Sequence, residues 1–152
     1  MQLTDAMDKK LIVGVSHLMV VNDRGEMLLQ KRSANVFYPN LWNAAAAGHI
    51  DAGDTPEGTA VKELQEEMGI VVAEKDIEHV NSFLLKYPEG HGKYHNIFSV
   101  RVEGRPDVTY ESEEVSDYRW VAVDDLEEEI NNHPSNFTMA FVAFAKKYFE
   151  SC

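Results

Sequence analysis

The chain has 152 residues, 44% of them hydrophobic, and a formal net charge of -12. That length favours one domain, residues 1–152, and that hydrophobic content excludes a disordered chain. The acidic balance excludes extended binding to nucleic acid, whose phosphates it would repel, and no apolar run reaches the roughly 20 residues of a membrane span.

Met1 to Lys10 mixes acidic, basic and polar residues without an apolar signal core, so the reading is a cytoplasmic protein. The one cysteine, Cys152, allows no internal disulfide and reads as incidental. An acidic protein can still take a small phosphorylated ligand, because a divalent cation bridges the two.

Leu11 to Val21 is rich in β-branched and aliphatic residues and predicts a strand. Asn22-Asp23-Arg24-Gly25 predicts a turn and Glu26 to Arg32 the returning strand of a hairpin. Ser33 to Leu41 reads as a loop turning at Pro39-Asn40, and Trp42 to Ile50 as one buried strand. Thr55 can cap a helix, Pro56 suits its first position, and Gly69 stops it after Met68.

Strands follow at Val80 to Tyr87, Tyr94 to Glu103 and Asp117 to Val123, then a short acidic helix from Asp124 to Ile130. Pro134 to Glu150 reads as the last helix. Its Phe137, Phe141, Phe144 and Tyr148 fall on one face, which packs on the sheet or offers a partner surface. Strands interleaved with helices point to an α/β fold with helices packed on a mixed sheet.

The helix from Pro56 to Met68 carries the chemistry. Residues advance by roughly 100° each, so Ala60, Val61, Leu64 and Met68 share an arc that can bury. Glu63, Glu66 and Glu67 share a neighbouring arc at i, i+3 and i+4. Three carboxylates so placed repel one another, and a hard divalent cation resolves that conflict. The alternative is a solvated acidic face, which is how Glu127, Glu128 and Glu129 are read.

Context extends the pattern. Gly48 is followed by five residues and then Asp54. Seven residues later comes Lys62-Glu63-Leu64-Gln65-Glu66-Glu67-Met68-Gly69-Ile70. This resembles the signature of the Nudix hydrolases, in which a glycine, five residues, a glutamate and seven residues precede Arg-Glu-aliphatic-any-Glu-Glu-any-Gly-aliphatic. The resemblance implies an α/β/α sandwich and attack of water on a diphosphate. It implies Mg²⁺, with Mn²⁺ as a substitute, held by Glu63, Glu66, Glu67 and the carbonyl of Gly48.

Asp54 and Lys62 replace the glutamate and arginine that brace the loop in the family. Weaker bracing with an intact metal site is the expectation.

Tyr38-Pro39-Asn40-Leu41-Trp42 leading to Gly48-His49, with Glu114-Val115 and Asp117-Tyr118-Arg119-Trp120, is similar to the isopentenyl diphosphate isomerase branch of the superfamily. That isomerisation needs a cysteine where this chain has Ala47, which cannot transfer a proton. The full glutamate cluster also points to hydrolysis.

Outside the motif, Arg32 is the better candidate than Lys31 for holding substrate phosphate, since guanidinium grips it with two donors. His49 is a second substrate contact or a structural histidine. The catalytic base falls to Glu66 or Glu67, or to a later glutamate among Glu111, Glu113 and Glu114. Pro88 to Lys93 reads as a lid or a plain connection. Phe37, Tyr38, Tyr87 and Tyr94 could stack on a base, with burial as their default. The implied substrate is a small-molecule diphosphate, a nucleoside diphosphate or its derivative. The competing reading is a non-catalytic ligand-binding module. The resemblance also allows a homodimer.

Overall fold

The first two strands form as the sequence predicts, because a turn residue is available where the chain must reverse. In the computed structural model, which describes residues 12–36, 38–88, 90–110 and 113–150, β1 runs Ile12–Asn22 and β2 Glu26–Arg32. Gly25 takes φ +72° in the turn, and the Asn22 side chain accepts from the Arg24 and Glu26 amides.

The alanine run departs from expectation. Instead of one strand from Trp42 to Ile50, there are two: β3 (Trp42–Ala44) on β2, and β4 (Ala46–His49) on β1. Ala45, fully buried, is where the chain changes partner. Four consecutive alanines carry no two-residue alternation that would mark such a change.

The helix α1 spans Pro56–Met68, with the Thr55 side chain accepting from the Gly58 amide and Gly69 closing it at φ +70°. After a 3₁₀ turn, Glu74–Asp76, come β5 (Ile77–Lys86), β6 (Gly92–Val102) and β7 (Val115–Ala122). These strands start two or three residues earlier than the sequence suggested. α2 spans Val123–Asn132, and α3 spans Met139–Glu150. The last helix therefore starts later than Pro134, which instead opens a 3₁₀ turn, Pro134–Asn136. Phe137 is extended and buried, and Thr138 caps α3 through the Phe141 amide.

β1 is the axis of a mixed, seven-stranded sheet. It runs parallel to β6 from Ile12↔Gly92 to Asn22↔Val102 and antiparallel to β2 and β4. Successive β1 residues face opposite layers. Leu18 and Val20 pack with Ala60, Leu64 and Met68 of α1, while Met19 packs with Leu126, Ile130, Phe141 and Phe144 of α2 and α3. The result is the expected α/β/α sandwich. Val61 is only half-buried. No helix among the described residues is long and apolar enough to cross a membrane.

Candidate active site

Two ladders and one helix converge on a chamber of about 350 Å³. β4 lies beside β1 in the register Ser16↔Gly48 and His17↔Ala47, and Ser16 donates to the Pro56 carbonyl at 2.7 Å. Those contacts bring the start of α1 against β1 and β4. β2 and β7 pair with a register shift at Lys31/Arg32, and the Ser33 amide donates to the Glu114 carbonyl. Arg32 and Glu114 thus reach the same chamber from neighbouring strand ends.

Glu63 and Glu67 line the chamber, with Glu67 only 5% exposed. Gln30 donates to one Glu67 oxygen at 2.9 Å, and the Ala47 amide reaches the other at 3.4 Å. Burial pushes the Glu67 carboxyl well above the usual carboxylate range, and the Glu63 charge adds to the rise. Burial also raises Glu63, helped by the charges of Glu66 and Glu114.

Gly48 leaves room for this pair: a Cβ there would fall 2.4 Å from the Glu63 carboxyl carbon. Two carboxylates withdrawn from water to different degrees, side by side and resisting ionisation, are suited to a hard cation with oxygen ligands. Glu66 is exposed and does not line the chamber. No group of three or more acidic, His or Cys side chains among the described residues is arranged to hold a metal.

Arg32 lines the chamber, whereas Lys31 lies over the Trp42 ring at 5.8 Å. Burial lowers the Arg32 pKa, and the charges of Glu67 and Glu114 oppose that shift. His49 is exposed at the chamber wall. Its pKa is lowered by partial burial and by Lys93.

Glu114 is exposed and lines the chamber, and Glu113 does not line it. Glu111 and Phe37 lie outside the described residues. Asp54 and Lys62 are both exposed, and no ion pair joins them. Between β5 and β6 the Tyr87 amide donates to the His91 carbonyl and the Gly90 amide to the Tyr87 carbonyl, while Glu89 lies outside the described residues.

Several chamber residues carry no local sequence signal. Lys93, on β6, places its ammonium 5.9 Å from the Tyr38 ring and 5.3 Å from the Tyr87 ring. His17 Nε2 and His95 Nδ1 are 2.7 Å apart, and His95 Nε2 meets the Tyr87 hydroxyl at 3.0 Å. Burial keeps both rings neutral, lowering His17 well below its usual value and His95 to about 4. His17 and His95 are far apart in the chain and meet only through the β1–β6 ladder.

Residues 10–141 match the model of the NUDIX domain. The chain belongs to the Nudix family. It is 34% identical over 115 residues to an uncharacterised Nudix hydrolase of Listeria monocytogenes, matching 74% of this chain and 65% of that protein. The chain thus spans about two thirds of that relative's length. It is 31% identical over 147 residues to an isopentenyl-diphosphate Delta-isomerase of Photorhabdus laumondii, matching 90% and 77% of the two chains. A prenyl-diphosphate phosphatase of Methanosarcina mazei is 31% identical over 137 residues, matching 86% and 76%.

The fold superimposes on a MutT protein from Methanosarcina mazei with a TM-score of 0.76 at 18% identity, covering 92% of this chain and 94% of that one. The family match and these relatives support a pyrophosphate-cleaving hydrolase. Ala47, which offers the site only a backbone amide hydrogen bond, stands where isomerase chemistry requires a thiol.

Proposed function

We propose that this Nudix chain hydrolyses a diphosphate linkage in a small organic diphosphate, with Mg²⁺ or Mn²⁺ bound. The observation that carries the reading is the pair of a half-buried Glu63 and a buried Glu67, set against Gly48 in a chamber that Arg32 and Lys93 also line. Glu63, Glu67 and the Gly48 carbonyl would hold the cation, with Glu66 reaching it from the exposed side of α1. When bound, the cation supplies Lewis acidity and orients the phosphates.

The chain's own residues do the rest. Arg32 and Lys93 hold phosphate oxygens, and His49 contacts the substrate from the chamber wall. Gln30 and the Ala47 amide fix Glu67, leaving its oxygens engaged. Glu114, also at the chamber, is therefore the favoured base over Glu66 and Glu67. Its carboxylate takes a proton from the attacking water as the new P–O bond forms and the bridging P–O bond breaks.

Family resemblance points to nucleoside diphosphates or their derivatives as substrates. The prenyl-diphosphate phosphatase and isomerase relatives extend the class to diphosphates without a nucleoside.

Release of phosphate and pyrophosphate from both kinds of compound, with Mg²⁺, Mn²⁺ or chelator, tests the reading. Metal-dependent turnover that collapses in Glu67→Gln is expected. Absence of turnover with tight Mg²⁺-dependent binding would assign a ligand-binding module instead.

A further inference from the structure

A second concavity of about 670 Å³ adjoins the chamber. The two share Tyr38, Tyr87 and Met139. Arg32, Glu63, Glu67, Lys93 and Glu114 line the chamber and not this concavity. On the other side the wall is Leu41, Pro88, Pro134, Phe137, Val142 and Ala143, with Ser135 and Lys146 as its remaining members.

We infer that this groove seats the organic part of the substrate, and that this part is a flexible apolar chain: the substrate is the diphosphate ester of an aliphatic alcohol. The inference rests on the hydrolase reading above and narrows its substrate class away from nucleosides.

A diphosphate ester has an anionic head and an organic tail. A head held by Arg32 and Lys93 has its tail leave across the shared residues. A nucleoside tail brings sugar hydroxyls and a base edge, and each needs a partner when it leaves water. Beyond the shared rim the described residues of the groove offer the Ser135 hydroxyl and the Lys146 ammonium, with no amide, carboxylate or imidazole side chain among them. An aliphatic chain needs none of these.

The rim favours the same choice. The Tyr87 hydroxyl is hydrogen-bonded to His95, which lines the chamber and not the groove. His91 already stacks on the Tyr87 ring, at 5.2 Å and 12°, occupying a seat a base would use. Tyr38 holds φ +54°, a conformation rare for a bulky residue and found where surrounding structure imposes it. Its ring lies 6.1 Å from that of Tyr87, with Lys93 close to both. The two rings form a divider between a charged and an apolar compartment.

Initial rates with Mg²⁺ on diphosphates of five-, ten- and fifteen-carbon prenyl alcohols, on ethyl diphosphate and on ADP test the inference. KM should fall at least about tenfold from five to ten carbons, with ADP poorer than the ten-carbon ester. Ala143→Phe and Val142→Asn, which fill or polarise the groove, should raise KM for the ten-carbon ester at least about tenfold and leave ethyl diphosphate unchanged.

Turnover with no dependence on chain length overturns the inference and leaves the hydrolase intact. Absence of turnover on any compound removes the hydrolase reading. Calorimetric binding of the same series to Glu67→Gln then decides the groove alone: affinity rising with length supports it, and a flat series overturns it. Groove variants that change the sedimentation state but not the length dependence would make this face an interface between copies, and also overturn the inference.

Discussion

α1 and α2 each carry a cluster of three glutamates, Glu63, Glu66 and Glu67 in one and Glu127, Glu128 and Glu129 in the other, and the fold uses them differently. In α1, Glu63 and Glu67 stand one turn apart, so both side chains enter the chamber. In α2, Glu127, Glu128 and Glu129 are consecutive and fan around the helix. Two are exposed, and Glu129 pairs with Arg119. Angular spacing decides whether carboxylates converge on one chamber or disperse into water. Within α1 the same rule leaves Glu66 exposed beside its buried neighbour.

The strongest test of this contrast is turnover. Glu67→Gln, by weakening the hold on the cation, should lower kcat/KM by at least about 10²-fold, while Glu128→Gln leaves kcat/KM within about twofold. Next comes metal binding itself. Mg²⁺ at about a hundredfold its dissociation constant should stabilise the wild type by about 2.7 kcal/mol, read as a rise in melting temperature. Glu63→Gln should abolish that rise, and Glu127→Gln should keep it.

The hydrogen bond behind Glu67 sharpens the picture. Gln30→Ala should weaken Mg²⁺ about 10–100-fold, the usual cost of losing a partner that orients a ligand, with titration calorimetry as the check.

The two helices also differ in legibility. α1 was readable to the residue, because Thr55, Pro56 and Gly69 mark its ends chemically. The start of α3 was misplaced because Pro134 suits the first position of a 3₁₀ turn as well as of an α-helix. The glutamate spacing announced the acidic half of the site, and Arg32 and Glu114 were identified as candidates. Lys93, Gln30 and the His17–His95 pair were not, because strand pairing brings them together and no local period records it.

Acid and base should act on these two groups in opposite senses. In chelator, the raised Glu67 pKa favours the folded state below the ordinary carboxylate value, and this advantage is lost as pH rises through the folded pKa. Glu67→Gln should therefore raise stability at neutral pH in chelator. The histidines work the other way. His95 is lowered to about 4, so stability is present above the ordinary histidine value and is lost as pH falls toward about 4. Denaturant melts across pH would show both slopes. The smallest effect should be Glu129→Gln, which removes a partly exposed ion pair worth about 0–1 kcal/mol.

The position of β1 at the centre of the sheet also shapes how the chain folds. Its parallel partner β6 lies about 80 residues further along. During synthesis β1 therefore waits for most of the polypeptide before its longest ladder can close. The β1–β2 hairpin can form early, but Leu18 and Met19 stay uncovered until α1 and α3 arrive. Such high contact order predicts slow refolding and a collapsed species with an open strand edge.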